Sequence, residues 1–452
     1  MNKPEQSIPF FFKGLTLLGL DKLTKEPTLL RFAKNFIYYD YYILRNRTAI
    51  EDLPEKADPV QELCYTVMER LGEEYYYRGK PIHGAYTLIT WSVITYKYHS
   101  QTLRMAANNG HGLLFPRSAL AYKLAMESMK IIDEVPNSVP TTTAAFGVTS
   151  LVLSWHVPWK KLVKTYRKLI NSCEELGNLE FVAHSHLYAI VFDVSLGLCN
   201  ALEQLKNLKD QIRDISLRGH IINKIYIQTY KNLCGECPLN TWQDDFFDET
   251  EINKACEKMN YEMGFNRLLL SKIRVSIHMS FGESTASDRD LLKSAFKAVK
   301  RRKNPIDNLP AHLFYFLLEI QLYPTYSFYK KIKARFCLIN LLRAVKVWVK
   351  CCPDNFETCA LLMEAEYKRL KGATNNAIDL YKKAIVTGKK YCLQEYVGLA
   401  SQRLVSLNLL INDEDEAKLY AKEAIEAYSA WQAEGVAKVL SEKYSGLYID
   451  KG

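Results

Sequence analysis

Along most of the chain, apolar residues recur every three or four positions. In the stretch 355–385, Phe356, Cys359, Met363, Tyr367 and Leu370 fall at steps of three and four, which lines them along one face of a helix. Asp354 with Glu357 three residues later, just after Pro353, reads as a helix start, and Gly372 stands where a helix stops. Thr374 or Asn375 then caps a second helix, in which Ala377, Ile378, Tyr381, Ala384 and Ile385 repeat the spacing. The two alanines are small enough to let another helix axis approach closely, so the pattern predicts an αα-hairpin.

Forty residues on, Ala417, Ala421 and Ala424 occupy the places of Ala377, Tyr381 and Ala384. With Ala365 on the first helix, this small–large alternation is the signature of tetratricopeptide-like (TPR-like) repeats, in which no hairpin buries its face alone. The period exceeds the usual thirty-four residues, so the repeats are irregular; a helical bundle with alanine-rich seams accommodates the same residues. Helical periodicity also marks Leu29–Ala49, Val60–Arg78, Trp159–Leu176 and Tyr326–Lys350. Gly at 20 and Pro at 15 are few for 452 residues, and no Asn-Gly or Asp-Gly turn joins alternating strands. The expected fold is all-α, about twenty helices in irregular TPR-like hairpins forming a solenoid or superhelix. A polar stretch, Cys237–Glu251, divides an N-terminal helical-repeat half (1–236) from a C-terminal one (252–452), unless the two run as one continuous solenoid.

Charge changes this picture little. The net charge of +10 suits an acidic partner, but the sharpest basic run, KAVKRRKNP at 297–305, reads as a solvated helix end with Asn304-Pro305 as its stop. No nucleic-acid recognition helix accompanies it, so nucleic acid is not the expected partner. No apolar stretch reaches eighteen residues, and the apolar run near the start is too short and broken for a signal peptide. A soluble cytoplasmic protein with no membrane partner is expected. The eleven cysteines are scattered singly, and Cys64, Cys199, Cys337 and Cys392 read as reduced core residues on apolar helical faces.

Candidate chemistry is sparse. Cys234-Gly-Glu-Cys237 has metal or redox spacing, yet no second ligand pair stands at a matching distance. His184 and His186, two apart on a helix, diverge by about 200°. Gly72 to Gly79-Lys80 resembles a phosphate loop only loosely, with six residues between the glycines and Pro81 where Ser or Thr would hold magnesium. No catalytic, cofactor-binding or metal-binding residue is assigned. The binding candidates are two tyrosine clusters, Tyr38, Tyr39, Tyr41 and Tyr42, then Tyr75, Tyr76 and Tyr77. Such runs cannot all face one core, so some rings belong at a groove or interface, the rest in inter-repeat packing.

The segments CPDNFETCALLMEAEYKRLKG and AIDLYKKAI, then EYVGLASQRLVSLNLL, EAKLYAKEAIEAYSAW and GVAKVLSEKY, make residues 352–444 resemble the helical-repeat region of a bacterial signalling family. GLTLLGLDKL, DLPEKADP, SWHVPW and NLCGECPLNTWQDDFFDE extend the resemblance towards the start. Those large proteins join a serine/threonine kinase-like domain, an AAA-type ATPase module, the repeat region, a GAF domain and a sensor histidine kinase. The catalytic motifs are missing here, so the resemblance implies no enzymatic activity. It implies a non-enzymatic scaffold or signalling regulator that docks a protein or peptide partner. Two alternatives remain open: a regulatory domain sensing a small molecule near the tyrosines, and a bacterial effector or adaptor acting on host proteins.

Overall fold

The computed structural model describes residues 7–20, 28–41, 52, 59–94, 101–134, 138–238, 240–279, 293, 295–297, 299–300 and 304–447. Among them are twenty-one α-helices and no β-strand, so the protein is all-α. The N-terminal group is α1 (Ser7–Leu17), α2 (Leu29–Tyr39), α3 (Pro59–Tyr77), α4 (Pro81–Ile94), α5 (Gln101–Leu114) and α6 (Ala119–Glu134). There follow α7 (Val139–Val148), α8 (Ser154–His156), α9 (Trp159–Glu175), α10 (Leu179–Phe192), α11 (Leu198–Ile215) and α12 (Leu217–Cys234). The C-terminal group is α13 (Glu249–Lys258), α14 (Glu262–Met279), α15 (Pro305–Leu322), α16 (Phe328–Val349), α17 (Pro353–Leu370), α18 (Thr374–Lys390), α19 (Gln394–Leu410), α20 (Glu414–Ala430) and α21 (Glu434–Tyr444).

Chain neighbours pack together: α3 on α4, α9 on α10, α11 on α12, and α17 to α21 in sequence. The sequence explains why. In α9 the buried Trp159, Leu162, Val163, Tyr166, Leu169, Ile170 and Cys173 follow the helical period, leaving one solvated face. Helix α15 is apolar around most of its circumference and is accordingly buried at nearly every position from Asp307 to Ile320. Between α7 and α8 the helix widens into a π turn at Thr149–Leu153, without leaving the right-handed helical region at either junction.

The predicted alanine seam is buried: Ala365, Ala377, Ala384, Ala417, Ala421 and Ala424 expose no surface. Helix α17 stops as expected, with Gly372 at φ +75° and Ala373 N–H donating to the Lys368 carbonyl at 3.0 Å. The starts differ from expectation. The N-cap of α17 is Cys352, with Pro353 already in the first turn and Asp354 inside it. In α18 the N-cap is Ala373, and neither Thr374 nor Asn375 caps, because both already lie within the helix. Asn304-Pro305 opens a helix instead of closing one, since the Asn304 side chain accepts from Ile306 N–H at 3.1 Å and Pro305 fills the first turn, where no N–H is needed. Of the basic run before it, 298 and 301–303 lie outside the described residues. Cys392 is no core residue; it sits exposed in the turn after α18 at φ +61°.

Helices from both sides of Cys237–Glu251 share the same interior. One core runs from Ala121 on α6 to Ala427 on α20, and a second from Tyr77 on α3 to Tyr444 on α21. The polar stretch is itself pinned to α12: Asn232 Nδ2 and Gln228 Nε2 donate to the Thr241 carbonyl at 2.9 and 2.8 Å, while Trp242 and Phe247 are buried. The last hairpin turns back onto the middle of the chain, where Leu198 N–H donates to the Trp431 carbonyl at 2.8 Å. Beside it the Gly235 and Gly435 backbones touch, a Cβ on Gly435 falling 2.7 Å from the Gly235 nitrogen.

Candidate functional site

On α3, Glu69, Gly72, Glu73, Tyr76 and Tyr77 are spaced three, four, seven and eight residues from Glu69, so they share one face. That face borders a cavity of about 80 Å³, lined also by α5, α7, the π turn and α10. Two of the three tyrosines in the second cluster therefore meet at a cavity. The third, Tyr75, is buried on the far side with its ring centroid 5.3 Å from that of His83. The cavity wall is mainly apolar and aromatic, with Phe146, Phe181 and Tyr188 packed edge to face around 5 Å apart.

Two carboxyls intrude on this wall. Glu69 Oε1 accepts from Tyr65 Oη at 2.5 Å, and burial, with the neighbouring Glu73 charge, pushes its carboxyl well above the usual range. Burial likewise lifts Glu73 to about 7, although Arg70 donates to its Oε2 at 3.0 Å. Glu180 behaves oppositely. Burial alone would raise it, but a hydrogen bond and charge from His184, with Arg70 and Arg218, hold it at about 2. Glu73 Oε1 and Asn109 Oδ1 border the cavity, are shut off from solvent, and accept no hydrogen bond among the described residues.

The first tyrosine cluster is divided by helix geometry. Tyr39 is fully buried against the His111 ring, 6.2 Å between centroids, whereas Tyr38 and Tyr41 are exposed. Tyr42 lies outside the described residues. The two clusters do not form one surface: exposed rings belong to the first, cavity rings to the second.

A second cavity, about 140 Å³, lies between α10, α12, α14, α15 and α19. Two guanidiniums seven residues apart on α14 line it. Arg267 Nε donates to Asp307 Oδ1 at 2.9 Å and its Nη2 to Tyr188 Oη at 3.1 Å. Arg274 clasps Glu395 through Nε at 2.7 Å and Nη2 at 2.6 Å, while His278 Nε2 lies 2.9 Å from the same carboxylate. These charges answer one another, so the cavity is a polar joint between helices of both halves.

The remaining motifs come apart. Cys234 lies with its sulfur 3.3 Å from Cys199, while Cys237 is near Gln228, so the two thiols of the CxxC do not face a common ion. Among the described residues no group of three potential ligands could hold a metal, and all eleven cysteines are free. His184 points into the core against Tyr77, and His186 borders a separate surface hollow on the opposite side of α10. Gly72 lies mid-helix against Gly84, where α3 and α4 cross, and only Gly79 forms a turn. No described helix is long and apolar enough to cross a membrane.

A further surface feature carries no sequence motif. Helix α16 carries six basic and no acidic residue in 22 positions. Its first half exposes Phe328 (82 %), Tyr329 (66 %), Ile332 and Phe336 (66 %). Lys330 and Lys333 lie 4.3 and 4.5 Å from the ring centres of Tyr326 and Tyr329, and neither makes an ion pair among the described residues. The signal was present in the sequence as FYKKIKARF, residues 328–336. Glu69 and Glu73 were equally legible as carboxyls among apolar residues on one face of α3. No protein-family model matches the chain, and no curated protein matches it.

Proposed function

We propose that the protein is a non-enzymatic helical scaffold, of regulatory or signalling type, that holds an acidic, amphipathic segment of a partner protein on α16. The carrying observation is the run of exposed aromatic and aliphatic side chains at Phe328–Phe336, interleaved with cations that make no ion pair among the described residues. Water-exposed rings at this density are costly on a free surface and belong in the centre of an interface, where aromatic and basic residues are enriched. The absence of any carboxylate along the helix makes an acidic partner complementary. An amphipathic helix laid along α16 could meet Phe328, Ile332 and Phe336 at helical spacing while its carboxylates reach Lys333 and Arg335 on the flanks of that ridge.

In this reading α17 to α20 are two irregular TPR-like hairpins closed over the buried Ala365, Ala377 and Ala417, and α17 packs directly against α16. The resemblance to the repeat region of bacterial kinase–ATPase signalling proteins supports a coupling role, in which partner docking reports on an input.

The test is fluorescence anisotropy with a labelled helical peptide whose glutamates and leucines alternate at helical spacing. Binding is expected to weaken with added salt and to fall about tenfold or more in the triple variant Lys330→Glu, Lys333→Glu, Arg335→Glu. Phe336→Ser should weaken it comparably, as loss of a central aromatic anchor does. Tighter binding to an oligonucleotide or to anionic vesicles than to the peptide, or indifference to the triple variant, would reject the proposal.

A further inference from the structure

The cavity beside Tyr76 and Tyr77 carries two acceptors at its wall, a carboxylate oxygen and an amide oxygen. Glu73 Oε1 and Asn109 Oδ1 have no hydrogen-bond donor among the described residues, and Asn109 is itself only 7 % exposed. Its amide packs close against Gly147, where a Cβ would fall 2.4 Å from the amide nitrogen and 2.7 Å from Oδ1. A buried acceptor without a donor is destabilising, so the site is arranged for a guest that brings hydrogens. The rings of Phe146, Phe181 and Tyr188 supply an aromatic wall of the kind that favours cations, and Phe181 and Tyr188 already carry the Arg70 and Arg267 guanidiniums 5.3 and 5.7 Å from their centres. The adjoining π turn places Ser150 and Leu151 at the wall, a distortion that recurs at functional sites.

We propose that this cavity binds a small organic cation, a primary or methylated ammonium on a short apolar body, with the charged head on Glu73 and Asn109 and the body against the rings. The volume, about 80 Å³, is below the roughly 150 Å³ of an engineered cavity that holds benzene, which limits the guest to a few carbons. Independent of the partner surface on α16, the site would make the scaffold responsive to an amine.

Protonation gives the site a signature. Glu73 is faced by Glu69 and Arg70 on its own helix, by Glu180 and His184 from α10, and by Arg218 from α12. Its carboxyl, raised by burial to about 7, is half neutral near neutrality. A bound ammonium requires the ionised form, so binding should expel a proton and strengthen as pH rises. Between pH 6 and 8 the ionised fraction grows from about one eleventh to about ten elevenths, giving about tenfold tighter binding.

Isothermal titration of the whole chain with propylammonium, butylammonium and tetramethylammonium, against propanol and butanol, tests this. At least one ammonium should saturate, exceed the matched alcohol by about tenfold, and bind more tightly at pH 8 than at pH 6. Glu73→Gln should remove both the preference and the pH step. The wild-type pH profile decides the matter even if that variant folds poorly. No saturable ammonium binding, alcohols binding equally well, or a flat profile between pH 6 and 8 would overturn the inference and leave water as the donor to these acceptors.

Discussion

Replacing Glu395 by alanine is expected to cost about 3–5 kcal/mol of stability, because it strands the Arg274 guanidinium inside the protein without a counter-charge. The carboxylate receives two of that guanidinium's donors and faces His278, and only 12 % of its side chain meets solvent. Arg274 would retain the Trp431 ring, 5.3 Å from its centre, but a cation–π contact is worth about 0.5–2 kcal/mol and does not replace an ion pair. Against a typical total of about 5–15 kcal/mol, the loss should appear as a large fall in the denaturant midpoint. The double change Glu395→Leu with Arg274→Met should recover much of it, as buried ion pairs often yield to packed apolar residues. A loss below about 1 kcal/mol in the single variant would mean that water in the adjoining cavity solvates the cation, and the joint would not be structural.

The same carboxylate sets part of the acid response. Burial would raise Glu395, but Arg274 and His278 hold it at about 2, so its contribution is present above the ordinary carboxylate value and is lost as pH falls towards 2. His111 and His312, lowered by burial to about 4 and 3, act earlier. Below about 6.5 the unfolded chain takes up protons that these folded imidazoles refuse. Denaturant midpoints measured from pH 7 to 3 should therefore decline first with the histidines and more steeply once the carboxylates follow, with Glu395→Ala flattening the second part.

Those groups show where sequence reading stopped. The alanine seam was legible because helical spacing is local, and every alanine in it is buried. Gly372 was legible as a stop because glycine alone enters the left-handed region at so little cost. Arg267 with Asp307 lies 40 residues apart and Arg274 with Glu395 lies 121 apart; no periodicity links them, and only the fold brings them together. Thr374 and Asn375 have capping chemistry, yet register placed them one turn-position too late, a shift that propensity does not resolve. Among the tyrosines, which ring is buried was set by helix phase: Tyr76 and Tyr77 turn towards the cavity with Glu69 and Glu73, and Tyr75 turns away.

Substituting Gly435 by valine should open the closure between the last helix and the middle of the chain. A Cβ at this position lies 2.7 Å from the Gly235 nitrogen, 2.8 Å from its Cα and 3.0 Å from the Leu233 carbonyl. All three are backbone atoms, so relief requires α12 and α21 to separate. Gly235 cannot yield by rotation, since it ends α12 at φ +80°. Overpacking of this kind costs about 1–3 kcal/mol, and here it falls on a small contact whose loss also loosens the buried Val436, Ala437 and Leu440. Hydrogen exchange should accelerate in α20 and α21 while α3 to α5 keep their protection, and solution scattering should report a larger radius of gyration. Gly372→Ala is the matched control: its φ of +75° imposes strain of about 1 kcal/mol, but nothing lies near its added methyl group, so closure should persist. Unchanged exchange at α20 and α21 in the valine variant would mean that the helices separate without loss, and that the glycine contact does not hold the C-terminal hairpins in place.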